Sequence, residues 1–169
     1  MPYDDYQALR ITVADGVARA TIDHPPINLL DLTMILELDR LGREVEADGD
    51  VRVVVLDSAD PDFFVAHADV GLIQSLPADD VGRRDELGGF HAIVDRFRTM
   101  PKATIVVVEG IARGGGSELA LSFDMRFGAL GRAVVGQPEV SVSIIPGGSG
   151  TQHLHRLVGR GRALEIVLS

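Results

Sequence analysis

The triple glycine Gly114-Gly115-Gly116 stands where an apolar, β-branched stretch gives way to a short helix. The N–H groups that open a helix have no partner inside it, and the helix dipole adds partial positive charge there. Glycine lets a ligand come close to such a main chain. An anion, or an oxygen on which negative charge is growing, suits that place. Glu118 falls in the first turn of the same helix, close enough to serve the same spot. A plainer reading is packing: the glycines let strand and helix approach, and Glu118 only favours the helix N-terminus. Spacing alone does not choose between the two.

Other readings of these residues fail on spacing. No Lys-Ser or Lys-Thr follows the glycines, so they do not form a P-loop. Leu119 stands where a dinucleotide-binding fingerprint needs its third glycine. Ser117 and Ser149 lie near glycines, but neither sits in G-x-S-x-G. His153 and His155 are two apart, which on a helix points them to different faces and argues against a metal site.

The elements that must hold the junction follow from patterning. Leu9 to Val13 alternates as a strand, Asp15-Gly16 marks a hairpin turn, and Val17 to Ile22 returns. Asp31 is placed to cap a helix over Leu32 to Ala47, with Leu32, Ile35, Leu36, Leu38, Leu41 and Val45 as its apolar positions. Val51 to Leu56 and Ala103 to Val108 read as strands buried on both faces. Between them come a turn at Asp60-Pro61-Asp62, a polar mobile loop over Leu76 to Arg84, and a helix marked by Phe90, Ile93, Val94 and Phe97 that stops before Pro101. After the glycines the pattern predicts a helix from Ser117 to about Phe123. It then predicts strands near Met125 to Ala129 and Ala133 to Gly136, and helices near Thr151 to Leu157 and Arg160 to Leu168. Strands alternating with helices predict an α/β fold with a largely parallel sheet.

With 169 residues the chain fits one domain with a real core. Its net charge of −9 argues against nucleic acid as the main partner. The absence of cysteine removes disulfides, thiolate metal sites and a Cys nucleophile, and fits a cytoplasmic protein. The first ten residues carry no signal-peptide pattern, and no apolar stretch is long enough to span a bilayer.

Three segments taken together resemble the enoyl-CoA hydratase/isomerase, or crotonase, family. They are Phe64-Val65-Ala66-His67-Ala68-Asp69-Val70, then Gly110-Ile111-Ala112-Arg113-Gly114-Gly115-Gly116-Ser117-Glu118-Leu119-Ala120. Third is Gly136-Gln137-Pro138-Glu139, continuing to Ile145-Pro146-Gly147-Gly148-Ser149-Gly150-Thr151-Gln152. Asn28-Leu29-Leu30 before its helix and Asp50 to Leu56 are similar to family sequence as well. The resemblance implies a spiral of ββα units, with residues 1–169 as the core domain. It implies an oxyanion hole made by the backbone N–H groups of Ala68 and Gly115, which would hold a thioester carbonyl as it becomes an enolate. Glu118 and Glu139 match the two glutamates of members that add water to a 2-enoyl-CoA. Main-chain groups around Ala66, His67, Asp69, Val70 and Gly114 would contact the substrate. Coenzyme A would be the substrate's carrier, with no metal or other cofactor.

His67 and Arg113 depart from the family pattern. Either both side chains point away from substrate, or they line the pocket, Arg113 to bind a polar acyl group and His67 as an acid/base. Family chains also continue beyond the helix that follows Gly159 to Arg162, into a helical segment absent from this sequence. Leu164, Ile166, Val167 and Leu168 leave an apolar ending, for which the expectation is self-association, as a trimer or dimer of trimers by analogy. Three functions stay in view: a hydratase; an isomerase or thioester hydrolase on an unusual acyl group; and a catalytically silent acyl-CoA-binding or assembly subunit.

Overall fold

A computed structural model describes residues 3–75 and 86–169. The polar loop expected over Leu76 to Arg84 lies outside the described residues. The chain opens with the expected hairpin, β1 (Leu9–Ala14) and β2 (Val17–Ile22), paired antiparallel through Ala14↔Val17. Asp15 and Gly16 both take positive φ, 52° and 79°, the twist that a two-residue turn between right-twisted strands requires. Helix α1 (Leu32–Ala47) starts at Asp31, whose side chain accepts the Met34 N–H at 2.9 Å. Its buried stripe is Met34, Leu38, Leu41 and Val45. Leu32 and Leu36, expected on that stripe, lie on the opposite side of the helix and are 57% and 59% exposed.

Strand β3 (Val53–Ser58) pairs parallel with β2, and β5 (Ala103–Val108) pairs parallel with β3. Burial alternates between full and partial along both, so one face carries the core and the other is only partly covered; expecting both faces fully buried overstated it. β7 (Met125–Gly128) completes a sheet of order β1-β2-β3-β5-β7, parallel except for the hairpin. Helix α3 (Phe90–Thr99) packs against α1, and Phe97 stacks on Phe123 with ring centroids 5.0 Å apart. This aromatic pair sits inside the main core with Ile22, Leu38, Leu56 and Val106.

Three short strands, β4 (Phe63–Val65), β6 (Ile111–Arg113) and β8 (Val134–Gly136), form a second, wholly parallel sheet in the order β4-β6-β8. Such short strands give little periodic signal; the first two were not legible in the sequence. Helix α2 (Val70–Ser75) and the 3₁₀ turn Pro138–Val142 were likewise unforeseen. Helix α4 (Gly115–Leu121) begins two residues before the expected Ser117, because Gly115 and Gly116 themselves form its first turn. Helix α5 (Gly150–Leu168) is interrupted at Gly159 (φ 77°, ψ 161°), which matches the two helices expected on either side. In its second half Ile166 and Val167 pack against Leu121, Leu154 and Ala163, while Leu164 and Leu168 are exposed.

Candidate functional site

The small sheet explains how distant segments meet. Its three strands run parallel in register, Val65↔Ala112 and Arg113↔Gly136, so their carboxyl ends share one edge. Each motif leaves from that edge: Ala66-His67-Ala68 after β4, Gly114-Gly115-Gly116 after β6, and Gln137-Pro138-Glu139 after β8. The carboxyl edge of a parallel sheet is where α/β folds place ligands.

Two close approaches lock the edge together. Gly114 turns from strand to helix at φ 53°, a backbone open to glycine, and its N–H donates to the Gly136 carbonyl at 3.0 Å. Gly116 lies against β4, where a Cβ would stand 2.5 Å from the Val65 carbonyl oxygen. Gly115 faces the loop after β4: a Cβ there would be 3.5 Å from Ala68 Cβ. Ala68 is fixed by a parallel bridge to Leu30, in which the Leu30 N–H donates to the His67 carbonyl and the Asp69 N–H donates to the Leu30 carbonyl, both at 3.0 Å. That pattern turns the N–H of Ala68 away from Leu30. Among the described residues neither the Ala68 nor the Gly115 N–H meets an acceptor.

Both glutamates are buried. Glu118 sits in the first turn of α4, and its Oε1 accepts the Gly150 N–H at 2.7 Å. Burial pushes its carboxyl from an ordinary 4.5 up to about 7; the Glu139 charge adds to the rise, while the Gly150 and Gly148 N–H groups oppose it. Glu139, in the 3₁₀ turn, is also raised by burial. Glycine makes room for Glu118: a Cβ at Gly148 would overlap Glu118 Oε2 and lie 2.8 Å from Phe90 Cδ1. Two like-charged groups in one buried place resist ionising together, which favours one of the pair keeping its proton to higher pH than an ordinary carboxyl.

The remaining expected residues fall as follows. Ala66 is buried, with its N–H on the Ile27 carbonyl at 3.3 Å. His67 is half-buried, its Nδ1 2.9 Å from the Ala68 carbonyl. The Asp69 carboxylate accepts the Leu72 N–H at 2.8 Å, capping α2, and Val70 is exposed at the start of that helix. Arg113 is exposed at the end of β6 and forms no ion pair among the described residues. Thus Ala68, Gly114, Gly115, Glu118 and Glu139 gather at one edge, whereas the Asp69, Val70 and Arg113 side chains are engaged elsewhere or exposed. Sequence reasoning missed Gln137, which is buried between the two glutamate segments, and Gly148 and Gly150, which make room for Glu118. A glutamine directly ahead of Pro138-Glu139 was the available signal. Two clefts form elsewhere, one of about 340 Å³ by Asp23, Asn28 and Asp60, the other of about 390 Å³ between α3 and α5; neither is lined by the glutamates.

The ββα architecture with its small parallel sheet is the crotonase fold. The family model for enoyl-CoA hydratase/isomerase matches residues 12–169, and the chain belongs to that family. It is 38% identical to the short-chain-enoyl-CoA hydratase of Clostridium acetobutylicum, over 90% of this chain and 58% of that protein. It is 34% identical to the fatty acid oxidation complex subunit alpha of Shewanella halifaxensis, over 92% of this chain and 22% of that one. A crystal structure of enoyl-CoA hydratase from Bacillus anthracis superposes with a TM-score of 0.84 at 30% identity, covering 96% of this chain and 62% of that one. The chain thus spans about three-fifths of the length of these hydratases. Among the described residues no helix is long and apolar enough to cross a membrane.

Proposed function

We propose that this chain adds water to a 2-enoyl-CoA through an enolate. The substrate's thioester oxygen sits between the N–H groups of Ala68 and Gly115. Water oxygen bonds to the β-carbon, the π electrons move through the α-carbon to the carbonyl oxygen, and the two N–H groups take up the growing charge. One of Glu118 and Glu139 accepts a proton from the water. The other delivers a proton to the α-carbon as the carbonyl re-forms, so the sum is addition of one water. The observation that carries the reading is the pairing of two buried, mutually repelling carboxyls with two main-chain donors that lack acceptors among the described residues. No metal is needed for these steps, and coenzyme A enters as part of the substrate.

Loss of the enoyl absorbance of crotonyl-CoA tests this. Turnover by the parent and its loss in Glu139→Gln are expected. No turnover with retained ester binding points instead to the silent acyl-CoA-binding subunit. Isomerisation or release of free thiol without hydration points to the isomerase or hydrolase reading. Self-association is proposed alongside, supported by the exposed apolar side chains of Phe127, Leu130, Val134 and Val135 around β7 and β8. A light-scattering mass of one chain at high concentration would contradict it.

A further inference from the structure

Gln137 is only 2% exposed, and its amide lies between the Ser117 hydroxyl and the Glu139 carboxyl. One end of the amide is 3.1 Å from Ser117 Oγ. The other end is 3.2 and 3.0 Å from Oε1 and Oε2 of Glu139. A Cβ at Gly150 would stand 2.8 Å from the amide and 3.0 Å from Glu118 Oε1, so Gly150 lies close to both Gln137 and the other carboxyl. Buried polar groups of this kind must be paired in every state the site visits.

An ionised carboxylate only accepts hydrogen bonds, whereas a protonated one also donates. With Glu139 ionised, the amide N–H₂ faces it and the amide oxygen accepts from the Ser117 hydroxyl. With Glu139 protonated, its O–H donates to the amide oxygen and the turned N–H₂ donates to Ser117 Oγ. A hydroxyl serves as donor or acceptor by rotating, so the amide keeps a partner at each end in both arrangements.

We propose that Gln137 is a positioning residue for Glu139, holding it in both protonation states by turning its amide, with the Ser117 hydroxyl as the matching partner. This rests on the proposed acid/base role of Glu139. The charged group facing Glu139 from another element is Glu118 on α4. Among the described residues no cation pairs with Glu139, and Arg113 at the neighbouring strand end is exposed. Gln137 is therefore the polar side chain at hand to compensate the ionised form. Hydrogen bonds to a charged acceptor are the stronger of the two sets, so the amide favours ionisation and opposes the effect of burial.

The test is nitrogen-15 and carbon-13 NMR on the full chain. In the parent, the Gln137 side-chain amide signals are expected to shift with pH at the midpoint at which the Glu139 carboxyl carbon titrates. In Glu139→Gln that movement is expected to vanish. Signals of Gln137 that ignore pH in the parent overturn the proposal, and this arm needs no change at Gln137. In Gln137→Met, checked for folding by circular dichroism, the Glu139 midpoint is expected to rise by about one pH unit. Its kcat is expected to fall roughly tenfold, with KM little changed. An unmoved midpoint in the folded variant also overturns it. The NMR arms read the contact without turnover: a parent inactive on crotonyl-CoA sinks the proposed function and leaves this comparison standing.

Discussion

Replacing Glu118 by Gln should stabilise the chain above neutral pH. The variant retains one oxygen to accept the Gly150 N–H and removes the ionisation, while its N–H₂, like the O–H of the neutral acid, takes the place of the second oxygen near the Gly148 N–H. The unfolded chain releases this proton near 4.5 and the folded chain near 7, so between those values the folded state binds more protons. Stability contributed by the neutral carboxyl is therefore whole below pH 4.5, falls as pH rises, and is lost above about 7. At 1.36 kcal/mol per pH unit the gap amounts to about 3 kcal/mol. Thermal unfolding followed by circular dichroism at pH 4 and pH 8 reads it out. The two proteins are expected to unfold at similar temperatures at pH 4, and the variant about 6–12 °C higher at pH 8. Glu139 titrates in both proteins, so most of its contribution cancels. A difference that is the same at both pH values would refute the reasoning, because Glu118 would then not be a carboxyl held neutral by burial.

Three further substitutions probe the frame and the edge. Gly148→Ala puts a methyl group into the Glu118 carboxylate and the Phe90 ring, so crotonyl-CoA turnover is expected to drop at least tenfold, roughly 1.4 kcal/mol in barrier, while the circular dichroism spectrum is retained. Gly110→Ala meets the Asp62 main chain, which cannot step aside; urea titration is expected to show a loss of about 3 kcal/mol. Arg113→Ala is expected to leave crotonyl-CoA kinetics within about twofold, since the exposed guanidinium engages no ion pair among the described residues; a tenfold loss in kcat/KM, about 1.4 kcal/mol, would place it in the substrate pocket.

Much of the frame was legible in the sequence because its signals are local. The Asp15-Gly16 turn, the Asp31 cap and the β-branched run from Ala103 to Val108 each report their element through neighbouring residues. Leu32 and Leu36 misled because apolar type alone does not say which side of a helix meets the core. The small sheet escaped notice: three-residue strands such as Phe63–Val65 and Ile111–Arg113 are held by long-range pairing that leaves no periodic trace. The motif residues were visible through family resemblance, but their convergence depends on the shared carboxyl edge of those same strands. Gln137 escaped because a glutamine in a loop reads as surface until the packing around it is known. The Asp69 side chain caps α2, so the part of Asp69 that the resemblance assigns to substrate is its main chain.

The most direct measurement of the central claim is the infrared carbonyl stretch of a carbon-13-labelled, unreactive acyl-CoA thioester bound to the full chain. If the Ala68 and Gly115 N–H groups both point at the thioester oxygen, the band moves to lower frequency on binding, because electron density is drawn toward that oxygen. A bound ester whose carbonyl band stays at its value in water would contradict the account, whatever activity the chain displays.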